Sequence, residues 1–106
     1  MLDAARKAFE YFKGRSRREI DSDEIRVLAV TRLLEILGEA AKNVSELTKS
    51  QSPEIPWREI GGTRNRLIHG YFNVDPDILW QITTADIPLL IEQLEKLLET
   101  DSPSSL

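Results

Sequence analysis

DEIRVLAVTRLLEILGEAAKNVSELT, residues 23–48, decides the fold. Ile25, Leu28, Leu33, Ile36, Ala40, Val44 and Leu47 recur at three- or four-residue spacing except for the step of five from Leu28 to Leu33, close to the period of one helix face. A second apolar set, Val27, Val30, Leu34, Leu37 and Ala41, makes that stripe wider than one neighbour would cover. Asp21 or Asp23 is placed to cap the first turn. The pattern predicts one long central helix from that point to about Thr48, touching two neighbouring helices or a second subunit.

Upstream, Leu2, Ala5, Phe9 and Phe12 share helical spacing, and Gly14 with Arg15-Ser16-Arg17-Arg18 predicts a helix end followed by a basic loop. Downstream, Ser50 to Pro56 reads as a loop, and Pro56 suits the first turn of a third helix from Trp57 to about His69. Gly61-Gly62 reads as a bend or close-packing point within it, and Gly70 as its end. Asp75-Pro76 opens a fourth helix, which Ile78, Leu79, Ile82, Ile87, Leu90, Ile91, Leu94, Leu97 and Leu98 carry to about Thr100. Pro88 has no amide proton for the carbonyl four residues back, which predicts a kink or break near Thr84 to Ile87. No segment shows the two-residue period of a strand. The architecture expected is all-α, an antiparallel four-helix bundle in one domain over residues 1–100, with a polar tail at 101–106.

A chain of 106 residues holds one core, and 41% hydrophobic with 30% charged residues is the balance of a folded protein, not a disordered one. The absence of cysteine removes disulfides, thiolate metal sites and a cysteine nucleophile together. With a single histidine besides, a transition-metal site is not expected, nor is a cofactor. The apolar runs are far shorter than the roughly 20 residues that span a bilayer, and charged residues stand where a signal peptide would be apolar, so a cytoplasmic location without membrane contact is expected.

A net charge of −4 argues against indiscriminate polyanion binding, but the charge is uneven. Residues 1–20 carry six Lys/Arg against three acids and residues 57–72 three Arg against one acid, whereas residues 86–101 carry five acids against one Lys. A local basic patch, doubled in a dimer, remains able to hold a polyanion.

Folding accounts for most of the chain. The exception is Thr63-Arg64-Asn65-Arg66-Leu67-Ile68-His69-Gly70-Tyr71-Phe72, which gathers permanent cations, the sole histidine and a phenol near a helix end. RNA cleavage by its own 2′-hydroxyl needs a proton carrier and a cation at the phosphate, and His69 with Arg64 are the candidates. Five residues on a regular helix separate side chains by about 140°, so their convergence requires a distorted turn, a reaching side chain or a cleft between subunits. The plainer reading is a C-terminal histidine satisfying helix carbonyls.

Arg64-Asn65-Arg66-Leu67-Ile68-His69-Gly70-Tyr71-Phe72 followed by Val74-Asp75 resembles the signature of the HepT-like toxins of the HEPN superfamily: Arg, four residues, His, any residue, Tyr. The likeness extends to Leu34 through Lys42, to Pro53 through Trp57, and to Leu79-Trp80 with Pro88, covering about residues 2–99. It implies a dimerising helical bundle with two Arg/His motifs in a shared cleft, acting as a metal-independent endoribonuclease on RNA, whether mRNA or tRNA. It also implies a toxin of a type VII pair whose antitoxin is a minimal nucleotidyltransferase. By position, Arg64 would stabilise the phosphate, His69 would move protons, Asn65 would support them, and Tyr71 would be the site where the antitoxin attaches AMP.

Other residues have two readings. Glu39, between Gly38 and Ala40, is placed to orient Arg64 or Arg66, or to remain a solvated carboxylate. Arg15, Arg17 and Arg18 either track an RNA backbone or form a solvated loop, and Trp57 and Trp80 read as core or interface residues. The acidic net charge supports an alternative function, a noncatalytic helical binding partner of a nucleotidyltransferase.

Overall fold

The computed structural model describes residues 1–70 and 73–100. The predicted first helix is α1 (Leu2–Phe12), which buries Ala4, Ala5, Ala8 and Phe12. The basic run that follows is not a loop. Ser16 caps a short α2 (Arg17–Asp21): its hydroxyl accepts from the Glu19 N–H at 3.2 Å while the Glu19 carboxylate accepts from the Ser16 N–H at 3.2 Å. This reciprocal cap is spelled Ser16-Arg17-Arg18-Glu19, a pattern that the run of arginines conceals. Buried Ile20 anchors α2 to the core. Arg17 donates to Asp21 on the same helix and, at 2.7 Å, to Asp77, so this arginine is already occupied within the fold.

The central helix is α3 (Glu24–Lys42), capped by Asp23, whose carboxylate accepts from the Arg26 N–H. Val30, Leu34, Leu37, Gly38 and Ala41 form its buried face. On the opposite face Ile25 (82%), Leu28 (55%) and Ile36 (43%) are exposed large apolar side chains among the described residues. The helix stops at Lys42 rather than Thr48. Asn43 turns its amide and side chain onto carbonyls of the last turn, and the Ser45 hydroxyl caps a separate α4 (Glu46–Gln51) by accepting from the Thr48 N–H. The apolar period carried on through Val44 and Leu47, but a new cap at Ser45 outweighs it, and Leu47 is left exposed.

The third helix is two pieces, α5 (Trp57–Gly61) and α6 (Thr63–Leu67), separated at Gly62 as the glycine pair suggested. Both lie against α3. A Cβ added at Gly38 would come within 3.0 Å of the Ile60 carbonyl oxygen, so the two backbones meet where α3 has no side chain. The helix ends at Leu67, two residues before His69. Ile68–His69 (β1) pairs antiparallel with Asn73–Val74 (β2), with Ile68 opposite Val74 and His69 opposite Asn73. This corrects both the helix drawn to His69 and the expectation of no strand. Gly70 has φ +74°, a left-handed turn conformation that L side chains resist, so it turns the hairpin instead of ending a helix. The Asp75 N–H donates to the Leu67 carbonyl at 2.8 Å and closes the hairpin's base.

The fourth helix begins as predicted. Asp75 caps α7 (Pro76–Gln81), Pro76 occupies its first position, and a π turn (Ile82–Asp86) leads into α8 (Ile87–Thr100). Of the kink or break expected near Thr84 to Ile87, the break does not occur: the helix runs on through a π turn that overlaps that segment. Ile87 keeps helical angles, φ −63° and ψ −45°, and the wider π turn just upstream accommodates the place where Pro88 offers no proton. The four-helix plan therefore holds, with α5 and α6 together filling the third position. α1 packs on α3 and α8 around Phe12, Ile20, Val30, Leu34, Leu79 and Ile87. The tail at 101–106 lies outside the described residues.

Two caps give the fold an acid sensitivity. Glu19 is held below its ordinary pKa of 4.5 by the Ser16 backbone N–H and then the Ser16 hydroxyl. Asp23 is held below 3.8 by the Arg26 backbone N–H and then the Arg26 guanidinium. A depressed folded-state pKa contributes stability that is present above the unfolded value and lost as pH falls through the folded one. Thermal midpoints should thus decline from pH 5 toward pH 3, and Glu19→Gln should flatten part of that decline. An unchanged slope in Glu19→Gln would count against the cap.

Candidate active site

Chain direction places Arg64 and His69. Leu67, fully buried, pins the end of α6, and Thr63 fixes its start by donating its hydroxyl to the Ile60 carbonyl at 2.7 Å. Along a strand successive side chains point to opposite faces, so with Ile68 partly buried, His69 must turn outward. Its side chain is 60% exposed, and that of Arg64 is 66% exposed. The 140° problem of a regular helix does not arise, because His69 is not on one.

Each of the two faces its own carboxylate. Arg64 Nε lies 3.6 Å from Glu35 Oε2, and Arg32 Nη1 approaches the same oxygen at 3.8 Å. His69 Nε2 lies 3.6 Å from Asp75 Oδ2. Among the described residues no hydrogen bond joins Arg64 to His69, and both side chains are largely exposed. Neither Glu35 nor Asp75 had been assigned a site role from sequence. Glu35 was one helical residue among many, and Asp75 was accounted for by its cap.

The expected supporting residues scatter. Successive positions on α6 rotate by about 100°, which sends Arg64, Asn65 and Arg66 to three different surfaces. Asn65 lines a shallow depression with Lys42, Trp57 and Arg58. Arg66 lines an apolar cavity of about 190 Å³ with Leu37, Ile82 and Ile87. Glu39 is exposed and pairs with Lys42 at 3.5 Å, so the carboxylate that reaches the motif is Glu35, one turn earlier. Trp57 donates its indole N–H to the Ser52 carbonyl and Trp80 stacks on Phe12 with ring centroids 6.0 Å apart, both as core residues. Tyr71 lies outside the described residues. Among the described residues, no three His, Asp or Glu side chains gather as a metal site, and no helix is long and apolar enough to cross a membrane.

A helical bundle that hands its third helix to a short hairpin, with an exposed arginine before the junction and an exposed histidine after it, defines a narrow class. The chain belongs to the HepT-like ribonuclease family, whose model matches residues 1–97. Among its relatives is a protein of Thermococcus cleftensis provisionally named ribonuclease HepT, 52% identical over 65% of this chain and 63% of that one, a little under two thirds of its length. Two others, provisionally named as RNases, are similar over more of their length. One from Methanocaldococcus jannaschii is 35% identical over 90% of this chain and 87% of its own, and one from Caldanaerobacter subterraneus is 37% identical over 87% and 82%. No solved structure gives a significant match.

Proposed function

We propose that the chain is a metal-independent endoribonuclease that cleaves RNA by attack of the 2′-hydroxyl on the neighbouring phosphorus. The observation that carries this reading is the outward presentation of Arg64 and His69 on consecutive elements, each beside a carboxylate. An imidazole takes the 2′-hydroxyl proton as the O2′–P bond forms; the P–O5′ bond breaks, and the leaving 5′-oxygen takes a proton from a second imidazolium. Arg64 balances the charge that accumulates on the phosphoryl oxygens.

A second imidazole requires a second copy, and a homodimer is part of the proposal. The outer face of α3, with Ile25, Leu28 and Ile36, is the apolar surface that supports it. Glu35 lies beside that stripe, so copies related by a twofold axis along α3 would draw their Arg64 side chains together. The chain acts in the cytoplasm as the toxin of a type VII pair, and a minimal nucleotidyltransferase acts as its antitoxin by attaching AMP to Tyr71. The added phosphate would bring negative charge and bulk two residues from His69 and compete with RNA for the same cations.

The deciding experiment incubates the purified chain with end-labelled RNA in EDTA. Fragments ending in a 2′,3′-cyclic phosphate, with 5′-hydroxyl partners, are expected. Cutting that depends on added divalent cation would overturn the mechanism, and no cutting under any condition would favour the noncatalytic partner of a nucleotidyltransferase.

A further inference from the structure

Asp75 has two carboxylate oxygens and the fold uses them differently. Oδ1 accepts from the Asp77 N–H at 3.0 Å and the Ile78 N–H at 3.1 Å, which caps α7. Oδ2 is turned the other way, 3.6 Å from His69 Nε2. The Asp75 N–H bonded to the Leu67 carbonyl holds the backbone beside the hairpin. Cap and hairpin base together fix this carboxylate, whose side chain is only 29% exposed, against the imidazole of a histidine whose side chain is 60% exposed.

We infer that Asp75 is the positioning residue of the ribonuclease reaction: its Oδ2 holds the proton of the His69 imidazole on Nε2 and leaves Nδ1 as the nitrogen that exchanges a proton with RNA. The inference rests on the ribonuclease reading above. A carboxylate is an acceptor only, so the nitrogen facing it must carry the proton. The opposite nitrogen then keeps a lone pair able to accept a proton. As the 2′-hydroxyl proton moves to Nδ1, the ring becomes an imidazolium whose Nε2–H is already aimed at a negative charge. The 3.6 Å separation exceeds a hydrogen bond by a few tenths of an ångström, a gap of the kind that catalytic contacts close when substrate binds.

Asparagine at this position separates the two duties. Asn and Asp cap helices about equally well, so Asp75→Asn should preserve α7. Its single carbonyl oxygen is then committed to the Asp77 and Ile78 amides, which puts the NH₂ group where Oδ2 was, facing Nε2. A donor there demands an unprotonated Nε2, so the ring should switch to the Nδ1–H form. Asp75→Ser, which also caps but is too short to reach the ring, should leave the mixture of forms found in free imidazole.

The chain has one histidine, so ¹⁵N NMR of the imidazole reads this form without ambiguity and without RNA. Wild type is expected as Nε2–H and Asp75→Asn as Nδ1–H, with kcat lower by roughly 10²-fold and KM nearly unchanged. An Asp75→Asn protein that keeps both the Nε2–H form and its kcat overturns the inference. So does one that loses kcat while the form stays Nε2–H, since that loss would be structural. His69→Ala separates the two levels: if it cuts RNA normally the ribonuclease reading itself fails, and if it is inactive while Asp75→Asn is fully active, only the role of Asp75 falls.

Discussion

His69→Ala is expected to lower RNA cleavage by about two to four orders of magnitude, the range that a positioned general acid or base supplies. The fold should survive it. The side chain is 60% exposed, its strand partner Asn73 is joined to it through the backbone, and the Asp75 cap on α7 does not need the ring. Single-turnover cleavage of labelled RNA, with helical content followed by circular dichroism, measures both quantities. Residual cutting within about threefold of wild type would remove the chain's only histidine from the mechanism.

Arg64→Ala is expected to lower cleavage by roughly 10²–10³-fold, the loss seen when one donor to a developing oxyanion is removed. The effect should fall mainly on kcat if the guanidinium acts in the transition state, and mainly on KM if it only attracts RNA. Arg64→Lys discriminates further, because a lysine keeps the charge but loses the planar fork that grips two phosphate oxygens at once. Recovery of full activity in the lysine variant would reduce Arg64 to a general electrostatic role. The ion pair with Glu35 is too exposed on the arginine side for its loss to unfold the bundle, so melting temperature should change little.

The helices were legible where periodicity and a terminal signal coincided. Leu2 to Phe12 carried both the spacing and the Gly14 stop, and Asp75-Pro76 carried cap and first-turn proline together. Boundaries failed where a local hydrogen bond competed with a continuing apolar period. Ser45 ended the central helix although Val44 and Leu47 stayed in phase, and Ser16 with Glu19 built a helix inside what composition presented as a loop. A two-residue ladder carries no period at all, so Ile68–His69 could not be distinguished from a helix end by spacing.

The motif itself was visible, and its surroundings were not. Arg64 and His69 are named by their order in the chain, but the carboxylates beside them come from distant stretches. Glu35 reaches Arg64 across the α3–α6 contact. Asp75 reaches His69 only because the hairpin folds residues 73–75 back on residues 67–69. Glu39 was the acidic residue that the small neighbours favoured, yet it lies four positions further along α3 and turns to Lys42 instead.

Among the described residues, the hairpin that presents His69 is held by two residues on each strand and a backbone bond at its base. Segments with so few protected amides open with free energies far below that of whole-molecule unfolding. Heat should therefore release the imidazole before it melts the helices around Leu34. A sample warmed partway would lose its ability to cut while its circular dichroism still reported an intact protein, and on cooling the activity would return as quickly as one turn can close.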